Sequence, residues 1–168
     1  MKVVVDATPL IYLAKINRLS LLNYYSEIFI PGAVYNEAVE RGLQKGFLDS
    51  KLIKNFIEEG AFKVIELSKK QGQEATELMT FANIGAGEAQ AIILARNLAA
   101  EVLLDDLVAH GAAKTLGLEP LWMTSFILKL YGDRTLEKKE AREVIEGLVG
   151  AGYRISGDVL IEIFKILE

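Results

Sequence analysis

The sequence predicts an α/β fold: a three-layer α/β/α arrangement around a mostly parallel sheet of four or five strands, with a helical C-terminal tail. Short apolar runs rich in β-branched residues recur up to Trp122. Segments with helical periodicity, most of them long enough for a crossover helix, separate these runs, which is the pattern of right-handed crossovers in a parallel sheet covered on both faces. Beyond about residue 125 only helical patterns remain.

The first run, Val3 to Val5, is continuously β-branched, as in a strand covered on both faces. Asp6-Ala7-Thr8-Pro9 then predicts a helix start, with Thr8 as cap and Pro9 at the first helical position. Leu10, Leu13 and Ala14, then Leu19, Leu21 and Leu22, continue helically before a second strand at Ile28 to Ile30, and Pro31 opens another helix. A helix over Asp49 to Glu59 stops at Gly60 and precedes a strand at Phe62 to Leu67. Ser68 to Glu77 is polar and reads as helix or part loop.

Gly85-Ala86-Gly87 interrupts the pattern, and Glu88 to Leu98 is strongly helical. Glu101 to Leu104 is a short strand ending in Asp105-Asp106, and a helix over Leu107 to Leu116 stops at Gly117. Pro120 to Trp122 is a candidate last strand. Helices are then predicted over Phe126 to Tyr131, Leu136 to Leu148 and Val159 to Leu167, with Gly150-Ala151-Gly152 as a hinge. The division expected is an α/β domain over 1–132 and a helical extension over 133–168 packed on the same domain.

Composition narrows the chemistry. The 168 residues are 51% hydrophobic and 25% charged, enough for one sizeable core, and the net charge of −4 speaks against indiscriminate coating of a polyanion. Having no Cys excludes disulfides, thiol nucleophiles and Cys-ligated metals, and a single His excludes His-rich metal sites. Any metal must be held by oxygen. No apolar stretch is long enough for a membrane helix, and the three valines at the start are too short for a signal-peptide core, so a cytoplasmic location is expected.

Ligands of open parallel α/β sheets bind beyond the carboxyl ends of the strands. Asp6 directly follows the first strand, and Asp105 and Asp106 follow a later one. Glu37, three and four residues after Val34 and Ala33, is expected on the inward side of its helix. Glu88 heads a stripe of Ala91, Ile92 and Ala95. Carboxylates gathered in this way repel one another and are costly to bury uncompensated, and a divalent cation relieves both. An all-oxygen donor set suits Mg²⁺ or Mn²⁺ and hydrolysis of a phosphodiester.

At Val3 to Leu13, at Ile30-Pro31 through Val34 to Glu37, at Gly87-Glu88-Ala89-Gln90-Ala91-Ile92 and at Leu103-Leu104-Asp105-Asp106, the sequence resembles the PIN-domain family. The likeness covers about residues 1 to 125 and is closest to a poorly characterised, VapC-like prokaryotic branch. It implies a metal-dependent ribonuclease using Mg²⁺ or Mn²⁺, with RNA as substrate, and offers the toxin of a toxin–antitoxin pair as its role, a protein antitoxin as partner and a homodimer as assembly. By the same resemblance Asp6, Glu37, Glu88 and Asp105 are the catalytic, metal-binding acids, Asp106 is an additional ligand candidate and Thr8 an orienting hydroxyl. Lys15, Arg18, Arg41, Lys45 and Lys114 are candidate guides for RNA.

Each residue also has a plainer reading. Asp6 serves a turn, Glu37 pairs with Arg41 on a helix surface, Glu88 stabilises a helix dipole, and Asp105-Asp106 caps a helix. Convergence of all of them at one sheet edge favours a shared site. His110 reads as a surface or structural residue, and the aromatic residues as core before base-stacking platforms. The competing function is a catalytically silent PIN-like nucleic-acid-binding or scaffold protein. A phosphoacceptor receiver domain is a distant third, because only one acid follows the first strand.

Overall fold

A computed structural model describes all 168 residues. Four strands, β1 (Lys2–Val5), β2 (Glu27–Pro31), β3 (Lys63–Ile65) and β4 (Glu101–Leu103), form one parallel sheet in the order β3-β2-β1-β4. Alternation along the strands builds the layers. Val3 and Val5 of β1 belong to one buried cluster and Val4 to another; Ile28 and Ile30 are divided from Phe29 in the same way, and Leu103 from Val102 and Leu104.

The larger cluster packs against α1 (Ala7–Lys15), α4 (Leu48–Glu58), α8 (Met123–Gly132), α9 (Lys138–Gly150) and α10 (Gly157–Ile166). It also takes in the continuous helix made of α2 (Gly32–Tyr35), a π-helical turn at Asn36–Glu40 and α3 (Arg41–Gln44). The smaller cluster lies under α5 (Lys69–Ala82), α6 (Ala86–Leu98) and α7 (Leu107–Thr115). Ala141, Val144, Ile145 and Leu148 of α9 are buried in the same cluster as Val3 and Val5, so the tail shares the core of the sheet.

Where the structure departs from the sequence reading, local chemistry explains it. The first helix begins at Ala7, because Asp6, in extended backbone, takes the N-cap place that Thr8 was expected to fill. Pro9 is then third in the helix, still among the first-turn positions whose N–H has no partner within the helix. The helix ends at Lys15, Asn17 adopts a left-handed conformation with φ 55°, and Leu19 to Tyr24 form a 3₁₀ turn rather than more α-helix.

The segment after Ser68 is fully helical, fixed by a capping box in which Gln71 N–H donates to Ser68 Oγ and Ser68 N–H donates to Gln71 Oε1. The expected last strand shrinks to a single bridge, Leu121 beside Leu103, because Pro120 has no N–H and α8 starts at Met123. Leu121 N–H still donates to Val102 O, and Leu104 N–H to Leu121 O.

Candidate functional site

The carboxyl ends of β1 and β4 lie side by side, with Asp6 N–H donating to Leu103 O at 3.1 Å. Asp6 makes no capping bond with its side chain and is 5% exposed. Burial pushes its carboxyl up to about 7; the Ala7 amide works against this, and the charges of Glu88, Glu37 and Asp105 add to it. The three acids that raise Asp6 are those the sequence set at the same edge.

Gly87, in the first turn of α6, explains how closely they meet. A methyl group at its Cα would stand 3.2 Å from Asp6 Oδ1, 3.5 Å from Glu37 Oε2 and 3.4 Å from a Val34 methyl. The absent side chain lets α6 approach the two carboxylates, a role the sequence did not signal beyond the Gly-Glu pair itself. Gly87→Ala is expected to weaken Mn²⁺ binding by about 10–100-fold, the usual effect of disturbing the support of a ligand, with little change in thermal midpoint. Calorimetric titration beside a melting curve checks it.

Glu37 departs from the inward placement expected of it. Its helix buries Val34, Ala38 and Val39, and the π-helical turn Asn36–Glu40 leaves Glu37 on the exposed margin of that stripe, over the acid edge. Burying an unpaired carboxylate would be costly, and π-turns of this kind recur at functional sites. The plainer pairing with Arg41 does not form. Instead both side chains line a shallow cavity with Asn36, Gly85 and Gly87. Of the proposed basic guides, Arg41 alone stands there; the ammonium of Lys15 lies over the Tyr12 ring and that of Lys45 near the Phe47 ring.

Glu88 is half-buried and accepts a hydrogen bond from Gly85 N–H at 2.6 Å. Burial raises its carboxyl, the Gly85 amide opposes this, and Asp106 and Glu37 raise it further.

The two late acids divide their work. Asp106 is the N-cap of α7, accepting from Ala109 N–H at 2.8 Å, as the plain reading has it. Asp105 turns inward. Its Oδ1 accepts from Met123 N–H at 2.9 Å and from the Tyr153 hydroxyl at 2.7 Å, while its Oδ2 is buried with no hydrogen-bond partner. Burial raises the Asp105 carboxyl, and both hydrogen bonds and His110 pull it back.

Tyr153, in the helical tail, is a residue the sequence reading missed, because 48 positions separate it from Asp105 and no local pattern connects them. His110 is buried rather than on the surface. Its Nε2 donates to Leu104 O at 2.9 Å and its ring stacks on Trp122, with centroids 3.6 Å apart. It therefore braces the strand end that bears Asp105. The Thr8 side chain faces a cavity bordering Asp105.

Four carboxylates thus stand at one end of a parallel sheet. A family model described as a PIN domain matches residues 2–168. The chain belongs to the PIN-domain family. The match takes in the whole helical tail, and the parallel sheet with helices on both faces agrees with it. A search of curated proteins finds no match to the chain. The PIN domain is a nuclease fold whose members generally use divalent metals and typically bind RNA. No helix of this PIN domain is long and apolar enough to cross a membrane.

No three carboxylates of this PIN domain are already drawn to one point at ligand spacing. Each late ligand candidate has a partner of its own: Gly85 N–H for Glu88, Met123 N–H and Tyr153 for Asp105, Ala109 N–H for Asp106. The donor set nevertheless fits a hard divalent cation. It is all oxygen, its innermost member resists ionisation because it is buried and faces like charges, and Asp105 Oδ2 is a buried acceptor left over.

Proposed function

We propose that this PIN domain is a Mg²⁺- or Mn²⁺-dependent endoribonuclease, with Asp6, Glu37, Glu88 and Asp105 as its metal-holding acids. The observation that carries the reading is the Asp6 carboxyl, buried at the end of β1 and raised to about 7, with three further acids contributing to that rise. None of the four acids forms an ion pair, and Arg41 stands only at the rim. Asp6 and Asp105, on adjacent strands, would supply fixed ligands, and Glu37 and Glu88, on helices, adjustable ones. Asp106 is left to its helix cap, and Thr8, beside Asp6, would hold a water or a substrate oxygen by its hydroxyl.

A divalent ion held by these acids would supply Lewis-acid chemistry for hydrolysis of a phosphodiester. The residues do the rest. Asp6 loses its proton to become a ligand, Asp105 is kept in place by Met123 N–H and Tyr153, and the exposed Glu37 and Arg41 meet the strand at the rim. RNA hydrolysis by the wild type in Mn²⁺, absent in EDTA, is the direct test; no cleavage of any RNA in either metal would leave the scaffold reading. The toxin role, the antitoxin and the homodimer named by the resemblance belong to the same proposal and rest on family likeness alone, while the boundary at residue 132 rests on the change to purely helical pattern in the sequence.

Tyr153→Phe keeps the ring, which meets Tyr12 edge to face, and removes the hydroxyl from Asp105. Freed of that bond, Asp105 is expected to hold metal about 10-fold more weakly, within the range for lost supporting hydrogen bonds. Mn²⁺ titration should register this while saturating Mn²⁺ restores most of the cleavage rate.

A further inference from the structure

Between α1, the start of α8 and the segment before α10 lies a cavity of about 530 Å³, separate from the rim that holds Glu37. Sites for small ligands span roughly 300–1,000 Å³. Tyr12, Trp122 and Tyr153 give it aromatic walls, and all three rings are held in place: Trp122 by its stack on His110, Tyr12 by donating its hydroxyl to Gly152 O, and Tyr153 by its bond to Asp105. Thr124, Ser125 and Arg154 add polar groups to the lining, beside Thr8, Asp105 and Ser156. Arg154 forms no ion pair, and the hydroxyls of Thr124 and Ser125 bond to nothing in the chain. The cavity borders Asp105 and Thr8, so it is continuous with the acid edge.

We infer that this cavity binds one unpaired nucleotide of the RNA strand, next to the phosphate presented to the acids; the inference rests on the nuclease reading above. Fixed aromatic walls offer a base a surface to stack on without regard to its identity, as single-stranded RNA is commonly held. An unpaired arginine suits the adjoining phosphate, and free hydroxyls suit ribose or a base edge. Two of the residues that carry this chemistry, Tyr153 and Arg154, come from the helical tail, as does half of the whole lining. The tail thereby becomes half of the substrate groove.

Trp122 is the chain's single tryptophan, so its emission reports on the cavity directly. Short single-stranded ribonucleotides titrated in EDTA at low ionic strength should change that emission saturably. Arg154→Gln and Ser125→Leu, both away from the core, should each weaken this binding by about 10-fold and raise KM for cleavage more than they lower kcat, with unchanged melting curves. If no RNA changes the emission, or if both variants bind and cleave as the wild type does, the inference fails, and Mn²⁺-dependent cleavage would leave the nuclease reading intact. Binding that both variants weaken, with no cleavage in any metal, would keep the cavity site and remove the nuclease. A 5′-mononucleotide that binds as tightly as the oligonucleotide would make this a site for free nucleotides and overturn its place in the strand groove.

Discussion

Asp6→Asn is expected to abolish metal-dependent cleavage while making the metal-free protein more stable at pH 8. The two effects share one cause. Asp6 is buried at the end of β1 among three other acids, and its carboxyl stays protonated up to about 7 in the folded chain, against 3.8 for an ordinary aspartate. Between those values the unfolded chain has given up a proton that the folded chain retains, so stability falls as pH rises through this window. Above about pH 7 the folded protein carries the whole cost of the buried charge, roughly 4 kcal/mol on this count. Below about pH 4 the group contributes nothing, since both states are protonated.

Asparagine has the same shape and no charge, so it removes this dependence. In EDTA the wild type should melt at a lower temperature at pH 8 than at pH 5, and Asp6→Asn should flatten most of that difference. Adding Mn²⁺ at pH 8 should raise the wild-type midpoint, as any ligand of the folded state does, and leave the variant nearly unmoved. Cleavage should fall by about 1,000-fold or more, the equivalent of the several kcal/mol that a Lewis acid contributes to a transition state. A variant that melts like the wild type throughout the pH range, and still binds Mn²⁺, would remove Asp6 from the metal-binding set.

How much of this was legible in the sequence follows from the range of each signal. Strand-end acids are local: Val3-Val4-Val5-Asp6 and Val102-Leu103-Leu104-Asp105 announce a strand and then a carboxylate at its carboxyl end, and the parallel topology brings the two together. Glu88 was legible as a first-turn acid: it accepts from Gly85 N–H at the head of α6, and its charge raises the Asp6 carboxyl. Glu37 was placed by 3.6-residue periodicity, and the π-helical turn breaks that periodicity. Nothing in Asn36-Glu37-Ala38-Val39-Glu40 marks a π turn, whose neighbours, α4 and α1, come from elsewhere in the chain. The bond from Tyr153 to Asp105 and the stack of His110 on Trp122 join distant segments, and only the folded chain makes them visible.

The tail decides the remaining question of what counts as the domain. Leu148 of α9 is fully buried, and its helix lies in one cluster with Val3 and Val5 of β1 and with Phe126 of α8. If that packing is one cooperative unit, Leu148→Ala should cost about 2–5 kcal/mol, by lost burial and the cavity left behind, out of the roughly 5–15 kcal/mol typical of a domain. The loss should appear as a single shifted transition, the same by far-ultraviolet dichroism and by Trp122 emission, with an unchanged denaturant slope. Trp122 borders the nucleotide cavity, 26 residues before Leu148 in the chain, so an early separate transition of the helical signal would mean that α9 and α10 unfold as their own unit. Tyr153 would then leave Asp105 before the sheet melts, and metal binding should weaken at denaturant concentrations where Trp122 is still native. A single transition instead makes residues 133–168 as much a part of the active fold as the strand that bears Asp6.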